Sequence, residues 1–179
     1  MKRHVALVGF MASGKSTIGR KLARKLGWAF FDTDVIVARE HGPIAAIFAD
    51  EGEAAFRRYE HAAISVALEN TVASVVALGG GALTVAENRS LLRDRAYRVF
   101  IKVSPLQILA RVRRSREVRP VLGRSPTLAR IEELYASRMR DYESADCVIE
   151  ATSRSDGQVI DEIVDWLSEK KLDGRRAST

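Results

Sequence analysis

Short apolar runs alternate along this chain with longer stretches of helical periodicity. The runs are residues 4–8, 28–31, 74–78, 98–103 and 147–149. Each has the length of a strand and reads as a continuous apolar segment, as strands covered on both faces do. Between them, residues 17–26 carry Ile18, Leu22, Ala23 and Leu26 at helical spacing, with Gly27 placed as a C-cap. Residues 53–70 carry Phe56, Ala63, Ile64 and Ala67. Residues 105–114 open with Ser104 as N-cap and Pro105 at the first helical position. Residues 127–142 and 158–172 also read as helices. Strand and helix in alternation predict an α/β protein: a central, mostly five-stranded parallel sheet with helices on both faces. Ligands in such sheets bind beyond the carboxyl ends of the strands. Functional residues are therefore expected just after Val8, Phe31 and Leu78.

The stretch after the first run meets that expectation. Residues 9–16, Gly-Phe-Met-Ala-Ser-Gly-Lys-Ser, fit the phosphate-binding loop pattern G-x-x-x-x-G-K-[ST]. Strand, glycine loop and helix start point backbone N–H groups at phosphate oxygens, and the helix dipole favours the anion. Gly9, Ala12, Ser13, Gly14 and Thr17 belong to this cradle. Lys15 can reach the outer phosphates, and the Ser16 hydroxyl can ligate Mg²⁺. A chance glycine turn would not account for Lys15 and Ser16 together.

After the second run come Asp32-Thr33-Asp34. Of these two carboxylates one can serve a metal shell and the other can orient or deprotonate an acceptor hydroxyl. The alternative is an Asx-turn and helix N-cap. After the third run, Gly79-Gly80-Gly81 lets a ligand approach the backbone closely, or simply makes a tight bend. On the helix between, Phe56 and Arg57 offer an apolar wall beside a carboxylate-binding fork, with Glu60 spaced to hold the guanidinium. The alternative is a solvated amphipathic face. Residues 111–119 hold five arginines in nine positions, and Pro120, Gly123 and Pro126 then interrupt the pattern. Over a phosphate loop, such a segment reads as a lid that excludes water and carries an arginine to the transferring phosphate. Arg138 and Arg140 on the next helix can make a further anion contact, and the alternative for Arg140 is a solvated helix face.

Composition adds bounds. At 179 residues with a net charge of +6, the chain suits one domain and anionic partners. The lid segment lacks aromatic residues for base stacking, which argues against nucleic acid. No apolar run is long enough to span a bilayer, and the first run leads straight into the phosphate loop instead of a cleavage site. Cys147, the single cysteine, sits in an apolar run as a small core residue. These features fit a cytoplasmic protein. Residues 170–179 form a polar, basic tail expected to be disordered.

Taken together, the chain resembles the shikimate kinases. The resemblance runs from about Arg3 to Leu167. It rests on the motifs at 9–17, Asp32-Thr33-Asp34, Phe56-Arg57, Gly79-Gly80-Gly81, Arg119-Pro120, and Arg138 with Tyr142 four residues on. It implies a three-layer P-loop kinase fold over residues 1–169, with a mobile lid at about 111–126. It implies a monomeric enzyme that moves the γ-phosphoryl group of ATP to the 3-hydroxyl of shikimate with Mg²⁺, and no nucleic-acid or membrane partner. By resemblance, Arg57 and Arg138 bind the substrate carboxylate. Asp34 binds ring hydroxyls and is the candidate base. Gly79, Gly80 and Gly81 close the pocket, and Ile44, Phe48 and Phe56 form its apolar wall. Asp32 joins Ser16 in the Mg²⁺ shell. Lys15, Asp34 and Arg119 are the catalytic set, Arg119 reaching the phosphates from the lid. Arg111 and Arg154 lie near the adenine.

The chain departs from the family pattern in places. Ala12 stands where glycine is common, and alanine with ordinary backbone angles would leave ATP binding intact. The segment at 42–44 is about one residue shorter than usual, which can shift Ile44 and Phe48. Val121 replaces a leucine. The segment around Arg111 has about one extra residue. Two rival readings are another small-molecule kinase on the same scaffold, such as a gluconate kinase, and a non-catalytic nucleotide-binding regulator. Intact Lys15, Ser16, Asp32, Asp34 and Arg119 argue against the regulator.

Overall fold

The computed structural model describes residues 2–115, 120–123 and 125–170. Strand β1 (His4–Val8) leads through the glycine loop into α1 (Lys15–Leu26). Strand β2 (Ala29–Asp32) is followed by three helices, α2 (Thr33–His41), α3 (Ile44–Asp50) and α4 (Gly52–Glu69). Strand β3 (Ser74–Ala77), a 3₁₀ turn (Ala82–Thr84) and α5 (Ala86–Arg95) come next. Then follow β4 (Ala96–Lys102), α6 (Pro105–Arg114), a 3₁₀ turn (Pro120–Leu122), α7 (Leu128–Glu143), β5 (Cys147–Glu150) and α8 (Asp156–Glu169).

The five strands make one parallel sheet in the order β2-β3-β1-β4-β5. Central β1 is wholly buried, with Val5, Ala6 and Leu7 at 0% exposure, which is why its sequence does not alternate. From β1 the chain works outward through β3 to β2 on one side and through β4 to β5 on the other. The loop after β1 therefore sits where the strand order reverses, the crevice that α/β sheets use for ligands.

Caps fix several helix starts. The Ser104 hydroxyl accepts from Gln107 N with Pro105 at the first position, and Thr127 caps α7 by accepting from Arg130 N. Ser155 and Gln158 form a reciprocal capping box. That box starts α8 at Asp156, two residues before the sequence expectation. α1 likewise starts at Lys15, because Gly14 turns through φ 101° and the helix follows at once. A second, smaller apolar cluster of Val37, Ile47, Phe56 and Ala63 packs α2, α3 and α4 together beside the main core. It sets the wall on which Phe56 and Arg57 stand. Cys147 is half-buried, and burial pushes its thiol up to about 11, so it stays protonated.

Candidate active site

The loop after β1 is shaped by close backbone approach. Gly9 has φ 144°, and a Cβ there would lie 2.8 Å from the Ile101 carbonyl oxygen of β4. Lys15 is 7% exposed, and its Nζ donates to Gly9 O at 2.9 Å and Phe10 O at 2.8 Å. The lysine thus lies along the loop. Arg111, in the last turn of α6, donates through Nη1 to Ala12 O and Ser13 O, each at 3.0 Å. The extra residue near Arg111 has not displaced it from the loop.

A cavity of about 430 Å³ opens over this loop. Ser13, Lys15, Ser16, Asp32, Arg111 and Arg154 are among the residues that line it. Ala12, Gly14 and Thr17 also line it, whereas Gly9 is not among its lining residues and its carbonyl accepts from Lys15. Arg154 reaches the rim while donating to Glu150 O at 2.8 Å and pairing with Glu162. Ala12 has φ 59°, in the left-handed region, so the expectation of ordinary backbone angles there is corrected: the loop demands glycine-like geometry at this position.

Asp32 takes the helix-cap role that the sequence offers as the alternative. Asp32 Oδ1 accepts from Asp34 N at 3.1 Å and from Val35 N at 3.4 Å, capping α2. The cap and the cavity wall are thus one residue, so the two readings are compatible. Thr33 Oγ1 accepts from Gly79 N at 3.1 Å and ties the start of α2 to the end of β3.

A smaller cavity of about 80 Å³ adjoins the first. Asp34, Met11 and Gly80 line both. Its apolar side is Ile44, Phe48, Phe56 and Val121, so the shortened 42–44 segment still delivers Ile44 and Phe48 to the wall. The Phe48 and Phe56 rings lie 4.9 Å apart. Its polar side is Arg57, Glu60 and Arg138. Arg138 Nη1 donates to Gly80 O at 3.0 Å, and the Tyr142 hydroxyl donates to the same oxygen. Burial pushes the Tyr142 phenol up to about 12, so it remains a donor at any physiological pH.

Arg57 is clamped by two acids of its own helix, Nη1 to Glu60 at 2.7 Å and Nη2 to Glu53 at 2.8 Å. Burial opposes its charge, but the two acids outweigh it and raise the guanidinium pKa above its ordinary value. Glu60 is 0% exposed. Burial, with the Asp34 charge adding to it, raises its carboxyl despite the pull of Arg57. Among the described residues its Oε1 has no hydrogen-bond partner. The three glycines are needed for fit here. A Cβ on Gly79 would lie 2.8 Å from Asp34 Oδ1, one on Gly80 2.8 Å from Met11 N, and one on Gly81 2.7 Å from Arg57 Nη1.

The sequence thus places Asp34, Arg57, Arg138, Phe48, Phe56 and the three glycines at one cavity, and the loop residues, Asp32, Arg111 and Arg154 at the next. Arg119 lies outside the described residues. Sequence reasoning gave no role to the buried, unpartnered oxygen of Glu60 or to Thr33 and Tyr142 as clamps on the glycine triplet. Their signal was spacing alone, Glu60 three residues from Arg57 and Tyr142 four from Arg138.

Comparison with known proteins agrees with this geometry. The family model described as Shikimate kinase matches residues 11–168. The shikimate kinase of Dechloromonas aromatica is 45% identical over 139 residues, covering 76% of this chain and 74% of that protein. The shikimate kinase of Geobacter sulfurreducens is 39% identical over 168 residues, covering 93% and 92%. The solved structure of a shikimate kinase from Acinetobacter baumannii in complex with shikimate superposes with a TM-score of 0.88 at 32% identity, covering 96% of each chain.

Proposed function

The chain belongs to the shikimate kinase family, and on that premise we propose that it transfers the γ-phosphoryl group of ATP to the 3-hydroxyl of shikimate, giving shikimate 3-phosphate and ADP. The observation that carries this reading is the position of Asp34. It lines both the cavity over the phosphate loop and the small cavity holding Arg57 and Arg138. A nucleotide in the first and a small hydroxy acid in the second would meet at its carboxylate.

Each group then has a task. Arg57 of α4 and Arg138 of α7 line the same small cavity, a setting for one planar carboxylate. Asp34 accepts the reacting hydroxyl's hydrogen bond and is the candidate base. The hydroxyl oxygen attacks the γ-phosphorus, the bond to the β–γ bridging oxygen breaks, and the hydroxyl proton passes to Asp34. Charge spreads over the transferring oxygens, so placement and positive charge carry the catalysis. Lys15 supplies that charge from the loop, and we assign a second share of it to Arg119 by family resemblance.

Among the described residues no three His, Cys, Asp or Glu side chains gather as a metal cluster. The donors at the loop nevertheless fit magnesium, which keeps several waters: an exposed Ser16 hydroxyl, and Asp32 with one carboxylate oxygen committed to its helix cap. Ser16 and Asp32 would hold the ion, which would supply positive charge to the phosphates. We extend the proposal to a cytoplasmic monomer acting on small molecules.

The test is ADP release with ATP and Mg²⁺, with and without shikimate. Turnover that requires shikimate and vanishes in Asp34→Asn supports the reading. Turnover that ignores shikimate but responds to gluconate would overturn the substrate and keep the kinase.

A further inference from the structure

Away from both cavities, α5, α7 and the start of β4 enclose a third depression of about 580 Å³. Its walls are Arg89 and Arg93 of α5, Arg98 of β4, and Arg140, Asp141 and Ser144 at the end of α7. It shares no lining residue with the two cavities of the candidate site. The arginines are not equivalent. Arg98 Nε pairs with Asp146 at 3.2 Å, and Arg89 Nη1 donates to Leu83 O at 2.6 Å with Asp141 at 3.9 Å. Arg93 and Arg140 are exposed and make no hydrogen bond or ion pair among the described residues. Asp141 is the sole acid among the described lining residues.

Surface arginines alone say little, because exposed pairs are weak and screened. The arrangement here differs in two ways. The positive charge is gathered round one shallow, open depression, so the fields of several guanidiniums add over whatever enters. The paired arginines are fixed as walls, while the two unpaired guanidiniums present planar forks suited to bidentate oxyanions. Arg89 and Arg93 stand four residues apart on one face of α5, and Arg140 lies in the last turn of α7, whose C-cap Ser144 donates its hydroxyl to Asp141 O at 2.7 Å. Arg93 of α5 and Arg140 of α7 therefore border one space.

We propose that this depression binds a compact dianion, a phosphate monoester or a dicarboxylate, gripped by Arg93 and Arg140. It is a second anion site, separate from the phosphate loop and from the Arg57–Arg138 cavity. A small ligand suits it, because the arginines border a single depression of about 580 Å³ instead of tracking a groove as they would for a nucleic-acid backbone.

Titration calorimetry on the full chain with saturating ADP tests this, using inorganic phosphate and malate as probes at fixed ionic strength. ADP fills the phosphate loop, and any binding in the Arg57–Arg138 cavity is common to all proteins compared. The double variant Arg93→Ala/Arg140→Ala is expected to bind the preferred probe at least about tenfold more weakly than wild type. Arg93→Lys/Arg140→Lys keeps the charge without the fork and is expected to fall between them, with an unchanged melting temperature. Tighter phosphate binding assigns the ligand to phosphate monoesters, and tighter malate binding assigns it to dicarboxylates. Equal affinities in wild type and the alanine variant, or no saturable binding of either probe by wild type, would overturn the site.

Discussion

Arg57 and Glu60 meet at 2.7 Å one turn apart on α4, and the acid is wholly buried while the base faces a cavity. The pair therefore holds a guanidinium in place beside the glycine triplet without closing off its outer face. It also leaves a buried carboxyl next to Asp34, and that proximity has a pH consequence.

Glu60 has a folded pKa raised above its ordinary value of 4.5, by burial first and by Asp34 second. The folded protein thus holds this proton more tightly than the unfolded chain does. The stability it contributes is fully present below pH 4.5 and is lost as pH rises through the raised folded value. Glu60→Gln lacks the titration. Wild type is expected to lose stability relative to Glu60→Gln as pH rises from 4.5, read from urea midpoints. A relative gain over that range would show that the attraction of Arg57 outweighs burial.

Arg57→Ala and Arg138→Ala are expected to raise KM for shikimate by about tenfold or more each, the scale of a charge-assisted hydrogen bond lost. Lys15→Ala is expected to lower kcat instead, because Lys15 lies on the nucleotide loop. Steady-state kinetics with shikimate varied at saturating ATP separates the two patterns. Unchanged shikimate saturation in both arginine variants would sink the substrate assignment.

Gly81→Ala tests the same cavity by steric means. Gly81 has φ −110°, so alanine suits the backbone, but its methyl would lie 2.7 Å from Arg57 Nη1. The guanidinium must move, and it is held by Glu53 and Glu60. A raised KM for shikimate with nearly unchanged KM for ATP is expected. Gly80→Ala meets Met11 backbone N, which cannot swing aside, so it should cost stability as well.

The sheet and the main ligand contacts were legible because they rest on strong local signals. Continuous apolar runs announced all five strands, and a glycine loop with Lys15 and Ser16 fixed the nucleotide end. Helices α2 and α3 went unread because they are only nine and seven residues long, too short for a clear period. α5 went unread because it buries only Asn88 and Leu92. The clamps on Gly79 and Gly80 were hidden for a different reason. Thr33 and Tyr142 reach the triplet from 46 and 62 positions away, and only the folded sheet brings them there.

Tyr142→Phe removes one of two donors on Gly80 O and leaves Arg138 as the other. A stability loss of about 1 kcal/mol is expected, with a modest rise in KM for shikimate. The pH profile of kcat should not change, because a phenol with a pKa of about 12 is never ionised in the working range. A shifted profile would mean that this hydroxyl takes part in proton transfer.

Ala12 holds φ 59° while its carbonyl accepts from Arg111 and its methyl packs at the edge of the core. An L-residue in that region costs roughly 1–2 kcal/mol. Glycine removes that strain but widens the unfolded ensemble, which costs about 0.4–1 kcal/mol. The difference favours Ala12→Gly by about 0.5 kcal/mol, a rise in Tm of about 1–2 °C by calorimetry for a chain of this size. The Arg111 bond uses the backbone and survives the change. A fall in Tm would show that the methyl's packing exceeds the strain it imposes, and that this loop has adapted to alanine through its neighbours.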